Sequence, residues 1–519
     1  MFAVALALII DFAALARGAH DVWAATAVFL ALLAVVTAVF VRQAWRPQAP
    51  GVTTDFALPM ACVAAVMAAS FGRSVNPSEA FLGLMDWLAA MAAFWIALNV
   101  LRTQRDLETF LAVVAPVFVV EALIHASQRP APAFLFTQSW GTLVNANLAA
   151  AFTLPWIPVL FERARSARAP GGRQAVYWSA AFAAAGLCFI FAFSAWGWIS
   201  LLSGLPLLLS VEDVRRRLKG WYVAAAAAVL ASGAALVWWK LSHTHDWSGN
   251  PLRAGENLSR VLWWNSGIRM FLANPGLGVG VGNFASAYPA FKVGSGQNTL
   301  FAHSFPIGLA AETGLLGCAA VLYFFSFWLR RVIARWNELS ERRPYVAGLA
   351  MLLIFSTISL SVEYLVNRLV CGVFLGIIAA PLVRSFYQPR RSAAFVLAAA
   401  ALAACAFILA PLSASRLCAA ASQRLSRGEI PAAVEAFSAA ASLDPLSSTA
   451  QRGWARALAA LPLRDLGQVV LRQTRAIELD RLNAVLWREL GDYLREAGRL
   501  DEARRAYETA ASLRPGKAD

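Results

Sequence analysis

Long apolar runs separated by short basic segments fill the first 415 positions of the chain. Each run has roughly 17–22 residues, enough helix to cross a hydrocarbon core about 30 Å thick. The pattern predicts about thirteen spans, at 2–16, 22–41, 56–72, 85–101, 109–127, 147–162, 175–195, 197–211, 221–241, 306–329, 345–365, 367–383 and 393–414. The first run is short and ends Ala14-Leu15-Ala16, but it lacks a basic flank and carries Asp11, so it reads as a retained span rather than a signal peptide. The expected fold is all-α: a polytopic helix bundle over residues 1–414, followed by a charged helical domain over 415–519.

Loop charge orients the bundle. One set of loops holds Arg42 and Arg46; Arg102 and Arg105; Arg163, Arg165, Arg168 and Arg173; Arg215, Arg216, Arg217 and Lys219; Arg330, Arg331, Arg335, Arg342 and Arg343; and Arg384, Arg390 and Arg391. These loops alternate with a basic-poor set, which predicts that the rich set is cytoplasmic. The long loop 242–305 and the C-terminal domain then fall outside, in the periplasm of a bacterial inner membrane.

Composition agrees with a membrane protein: 59% of the residues are hydrophobic and 14% charged. The net charge of +15 invites a nucleic-acid reading, but the positive-inside pattern already accounts for most of it, so no nucleic-acid partner is expected. Cys62, Cys188, Cys318 and Cys405 lie inside apolar runs, and no cysteine spacing suggests zinc or a disulfide framework.

After residue 415 the period changes. Trp487, Leu490, Gly491, Gly498, Ala503, Tyr507, Ala510 and Pro515 stand at the offsets of a tetratricopeptide repeat. The same frame recurs 70 residues earlier at Gly428, Ala433, Phe437, Ala440 and Pro445, with Ala476 holding a degenerate middle copy. Three such repeats can stack as an α-solenoid and offer a protein partner a concave face.

Within the 242–305 loop, NLSRVLWWNSGIRMFLANP reads as an amphipathic helix at the membrane interface, capped by Asn257 or Ser259 and ended by Pro275. Val261, Trp264, Ile268, Phe271 and Leu272 form its apolar face. Arg260 and Arg269 flank that face, on the side where cations are scarce. Gly276, Gly278, Gly280 and Gly282 follow in a turn whose amides could meet an anion, though close packing explains alternate glycines equally well. No Asp-x-Asp pair occurs in the external loops, so arginine rather than a divalent metal would have to neutralise a phosphorylated substrate, and no metal or cofactor is expected.

His303 and Glu312 open the next apolar run. Nine helical residues rise about 13.5 Å and turn about 900°, which puts the two side chains on opposite faces. They cannot form an acid–base pair unless the helix breaks. His303 belongs to the mouth of the span, and Glu312 lies deeper, where a carboxylate must be paired or protonated.

The order Arg260, Trp264, Asn274-Pro275, GLGVGVGNF at 276–284, Tyr288, AHS at 302–304 and AETGLLG at 311–317 resembles the O-antigen ligase and polymerase superfamily. GTLVNANLAAAF at 141–152 is similar to that family's Gly-Thr-Phe-x-Asn-x-Asn segment. The resemblance covers roughly 140–385 of this sequence. It implies a C-type, metal-independent, inverting glycosyltransferase of the membrane. The donor would be a glycan on undecaprenyl diphosphate, and the acceptor a glycan or lipid-core hydroxyl. It implies His303 as the group that activates the acceptor hydroxyl and Arg260 as the cation that grips the diphosphate, with Arg269, Asn145, Asn147, Gly278, Gly280 and Ser304 as further substrate-binding candidates.

Two positions depart from the family pattern. Ala195 stands where an arginine usually follows Ser194, and Ser304 replaces an asparagine. Arg73, Arg129 and Arg368 are the cations that could replace the missing one. Two other readings remain: a polysaccharide or lipid transporter, and a non-catalytic scaffold of a glycan-assembly complex. A transporter predicts broken helices and ionisable groups at mid-membrane. An enzyme predicts His303 and Arg260 facing one external cavity that also opens sideways to lipid.

Overall fold

A computed structural model describes residues 1–45, 51–129, 138–167, 172–209, 251–293 and 298–513, with side chains left undescribed at 205–209 and 251–258. The described residues are almost entirely helical. Helices α1 (Phe2–Leu15), α2 (Val22–Trp45), α3 (Ala57–Phe71), α4 (Pro77–Val100), α5 (Gln104–Ser127), α6 (Ala146–Thr153), α7 (Trp156–Ser166), α8 (Arg173–Ala192) and α9 (Ala195–Leu209) form the first half. They are followed by α10 (Pro251–Ala273), α11 (Phe284–Phe291), α12 (Phe305–Ala334), α13 (Arg343–Ile358), α14 (Leu365–Ala379) and α15 (Arg391–Ser426).

Among the described residues, seven helices are long and apolar enough to cross a membrane: Val22–Trp45, Pro77–Val100, Gln104–Ser127, Arg173–Ala192, Phe305–Ala334, Leu365–Leu382 and Arg391–Ser426. The chain is a multi-pass membrane protein. The other expected spans differ in instructive ways. The run 147–162 splits into α6 and α7 around Leu154 and Pro155, because proline lacks the N–H that continues a helix. The run 345–365 stops at Ile358, and residues 359–364 leave the helix. The run 221–241 lies outside the described residues.

Helix α14 is the centre of the bundle, with 89% of its apolar window buried. It lies against α4 because Gly372 and Gly376 carry no side chain: a Cβ there would come within 2.5 Å of Ala90 O and 2.6 Å of Phe94 O. Ridge-into-groove contact at this distance needs glycine on one face. At the end of the bundle bearing the basic loops, Val52–Thr53 pairs antiparallel with Phe386–Tyr387, and Arg331 meets Asp55 at 3.1 Å. The turns before α4, α9, α12 and α14 gather at the opposite end.

Helix α15 runs 36 residues without a break, passing through position 414 into the charged region. There α16 (Ile430–Leu443), α17 (Ser448–Ala459), α18 (Leu466–Leu479), α19 (Ala484–Glu496) and α20 (Leu500–Ser512) follow, each packed on its neighbour in the chain. Gly428 and Gly498 both turn with φ near +75°, a left-handed conformation that suits glycine. Phe437 lies against Gly453, and Tyr507 against Gly491. At the matching middle position stands Gln473, fully buried, whose amide donates to Leu486 O at 2.8 Å. A buried glutamine where its neighbours carry an aromatic is why the middle copy is faint in the sequence.

Candidate functional site

The glycine turn and the start of α12 are built on each other. Helix α12 is interrupted at Gly314 (φ +64°, ψ −163°), and the backbone freed there pairs with the turn. Val279 N donates to Ala311 O (2.9 Å), Gly280 N to Glu312 O (3.0 Å), Leu315 N to Pro275 O (2.8 Å) and Leu316 N to Gly276 O (3.2 Å). The break lies beyond Glu312, so it does not bring that carboxylate to His303. Instead Glu312 accepts from Gly282 N (3.1 Å) and Phe284 N (3.2 Å), at the first turn of α11. Its role in the structure is to hold the turn.

The amides of the turn are accordingly engaged within the protein. Gly278 N donates to Asn274 O at 3.0 Å, and a Cβ on Gly278 would meet the Glu312 carbonyl carbon at 2.3 Å. A Cβ on Gly280 would meet Ser74 Cα at 2.5 Å. Close backbone packing accounts for both glycines.

His303 sits one residue ahead of the helix cap at Ser304, with φ +56°. A non-glycine residue rarely adopts this conformation, and here buried Ala302 and buried Ser304 hold it on either side. Its ring stacks on Trp263, centroids 4.3 Å apart and planes at 23°. Trp263 lies three residues from Arg260, so the two side chains are neighbours along α10. Arg260 lies over the Trp196 ring at 5.2 Å and donates to Ile358 O at 3.4 Å, joining α10 to the start of α9 and the end of α13. Burial, reinforced by the Arg260 charge, pushes the His303 imidazole down to about 3, so it is neutral at physiological pH. Its Nδ1 is buried, and no protein group bonds it.

The remaining candidates are distributed around this centre. Asn145 caps α6, accepting from Leu148 N at 2.8 Å. Asn147 accepts from Ser194 Oγ at 2.8 Å, which ties the 141–152 segment to the start of α9. Arg269 is exposed, about two and a half helical turns along α10 from Arg260 and on the opposite face. Helix α10 itself begins at Pro251, so Asn257 and Ser259 lie inside it rather than capping it. Its protein-facing side is Trp263, Ser266 and Met270, while the expected apolar face leaves Val261, Ile268 and Leu272 exposed, a stripe suited to lipid. Packing selected the other face because His303 and the glycine turn occupy it. The sequence pattern therefore missed Trp263, since periodicity marks apolar stripes without saying which stripe meets protein.

Beside His303 lies a cavity of about 60 Å³ whose lining includes Phe301, Ala302, Asp86, Glu312, Glu363 and Arg368. Neither His303 nor Arg260 lines it, so this cavity is not the one that the enzyme reading expects both residues to face. Arg368 donates from Nε to Val362 O (2.8 Å), lies 3.8 Å from Asp86 and covers the Trp87 ring. Arg368 also lines an adjoining apolar cavity of about 80 Å³. Of the three arginines considered as substitutes, Arg129 is buried against Phe191, bonding its carbonyl at 2.8 Å, and Arg73 is exposed in the turn before α4. Arg368 lines the cavity near His303, together with the carboxylates of Asp86, Glu312 and Glu363. Among the described residues no group of three or more His, Cys, Asp or Glu side chains is arranged to hold a metal ion.

Comparison with known families fits this geometry. Residues 180–322, which include Arg260, the glycine turn, His303 and the broken start of α12, match the family described as O-Antigen ligase. Residues 484–517 match the tetratricopeptide repeat. No curated protein matches the chain. The chain is thus a multi-pass membrane protein in which residues 180–322 match the O-Antigen ligase family and residues 484–517 match a tetratricopeptide repeat.

Proposed function

We propose that the protein transfers a glycan from undecaprenyl diphosphate to an acceptor hydroxyl on a glycan or lipid core, at the periplasmic face of a bacterial inner membrane. The observation that carries this reading is the uncommitted His303 imidazole, held in a strained backbone against Trp263 and within the field of Arg260. In the step, the acceptor oxygen attacks the anomeric carbon as the bond from that carbon to the diphosphate oxygen breaks. The acceptor proton passes to His303, and the lipid diphosphate leaves as an anion beside Arg260. Attack opposite the leaving group inverts the configuration, and the arginine serves where a metal otherwise would.

Arg260 has two effects here. In the empty site its charge adds to burial, the larger cause, in keeping His303 neutral and weakly basic. A bound diphosphate offsets that charge, so imidazole basicity rises when donor is present. Asn145, Asn147 and Ser304 then belong to the frame around the substrate, and Arg269 to the lipid-facing flank. The repeat region would receive a protein partner.

His303→Ala and Arg260→Ala, each assayed by following glycan transfer on gels, test the reading. Loss of transfer by at least about a hundredfold is expected of a general base and of an anion-stabilising cation. Normal transfer by both variants would remove these residues from the mechanism.

One observation favours the transporter reading: the half-buried Asp86–Arg368 pair near Glu312 and Glu363, close to a broken helix. Glu312 is nevertheless held by backbone amides, and the 275–280 turn fills the break. Flux of a lipid-linked glycan across proteoliposomes carrying His303→Ala separates the two, since a transporter would keep its flux.

A further inference from the structure

We infer that the repeat region is seated on the candidate site, with Leu482 acting as a positioning residue for His303 through Trp263. The inference rests on the transferase reading above. The turn between α18 and α19 is firmly shaped. Asn483 Nδ2 donates to Asp480 Oδ2 at 2.8 Å, Asn483 Oδ1 caps α19 by accepting from Val485 N at 3.1 Å, and Trp487 Nε1 donates to Arg481 O at 3.0 Å. This turn presents Leu482 to the buried apolar cluster that holds Trp263, Val279 and Ala302. Trp263 carries the His303 ring on its face, and Ala302 precedes His303 in the chain. A side chain from the repeats thus packs against the cluster to which the ring partner of His303 and its chain neighbour Ala302 both belong.

The seat has further contacts. Arg481 Nη2 donates to Arg73 O at 3.3 Å. The equivalent turn one repeat earlier places Asp444 3.5 Å from Ser78 Oγ. The segment receiving them is bonded to the glycine turn in its own right: Asn76 N donates to Asn283 Oδ1 (2.7 Å), Asn283 Nδ2 to Asn76 O (3.0 Å) and Ser286 Oγ to Glu79 (2.6 Å). Two successive repeat turns therefore rest on residues 73–78, and those residues brace the turn that pairs with α12.

The test uses the full chain in membranes. Leu482→Ala removes the apolar contact, Leu482→Met replaces it with a side chain of similar volume, and Leu463→Ala, at a side chain 96% exposed, is the control. The expected result is a fall in kcat of about tenfold for Leu482→Ala with KM for the donor held within about twofold, as for a misplaced catalytic group. Leu482→Met restores the rate, and Leu463→Ala leaves it unchanged. Loosening the stack also exposes His303 to water beside Arg260, the charged group that faces it, so Leu482→Ala gains an acid limb nearer the ordinary histidine range that the native enzyme lacks. Native kcat and pH profile in Leu482→Ala, or equal losses in the Ala and Met variants, overturn the inference. His303→Ala run in parallel separates the two levels. If His303→Ala is inactive while Leu482→Ala is native, the seat alone fails. If His303→Ala transfers normally, His303 leaves the mechanism and the inference falls with it.

Discussion

Glycine does the same job in the two halves of this molecule against different neighbours. In the repeats, Gly453 and Gly491 make room for the rings of Phe437 and Tyr507, side chains that lie 16 residues away in the sequence. Around the site, Gly278 and Gly314 face backbone: the Glu312 carbonyl for one and Gly276 O for the other, with a Cβ that would stand 2.3–2.4 Å away. A side chain can be trimmed or turned aside, and a hydrogen-bonded backbone cannot. The repeats are therefore a forgiving packing problem and the site an unforgiving one.

Substitutions can break that contrast. Gly278→Val adds left-handed strain to a backbone clash, and a loss of roughly 3 kcal/mol or more is expected. It would be read as lost protein in the membrane or a lowered Tm, and no truncation of a neighbouring side chain rescues it. Gly491→Ala, which meets Tyr507 at 2.5 Å, costs roughly 1–3 kcal/mol and is relieved by Tyr507→Leu. Rescue of Gly278→Val by a side-chain change, or none for Gly491→Ala, would erase the distinction. Glu312→Ala leaves two buried amides without an acceptor and costs about 1–3 kcal/mol, with Glu312→Gln retaining most of that. The smallest effect belongs to the repeats, where Glu489 lies 2.6 Å from Arg452 and 2.5 Å from Arg456. Glu489→Gln costs about 1 kcal/mol at low salt and less as ionic strength rises.

Acidity sharpens the comparison further. His303 has its folded-state value lowered from 6.5 to about 3, so the unfolded chain binds the extra proton first. Its contribution to stability is full above about pH 6.5 and declines as pH falls toward 3. Asp480 in the repeats runs the other way. Burial raises it to about 6, so its folded form favours the proton and stability falls as pH rises from the ordinary aspartate range through 6. Asp480→Asn should flatten the second dependence and leave the first intact, as thermal melts across pH 4–8 would reveal.

Much of the fold was legible from sequence because periodicity is a local property. Apolar run lengths marked α2, α5, α8 and α12, and the 70-residue echo of Gly428 in Gly498 marked the repeat turns. The pairing of His303 with Arg260 came from a family resemblance rather than from any spacing, since more than forty residues separate them. Helix geometry correctly kept His303 from Glu312, but it said nothing of where the Glu312 carboxylate would go. Trp263, Leu482 and the buried Gln473 gave no sequence signal. Each looks ordinary in its own segment, and its importance lies in a partner elsewhere in the chain.

Hydrophobic period, loop charge and repeat spacing thus determined a multi-pass helical chain ending in repeats, because each follows from how one segment meets lipid, charge or its neighbour in the chain. Tertiary structure decided which face of α10 meets protein, where α12 breaks, what holds the glycine turn and what the repeats rest on. Those choices turn on backbone-to-backbone distances of a few ångströms between segments far apart in sequence, and no local pattern encodes such a distance.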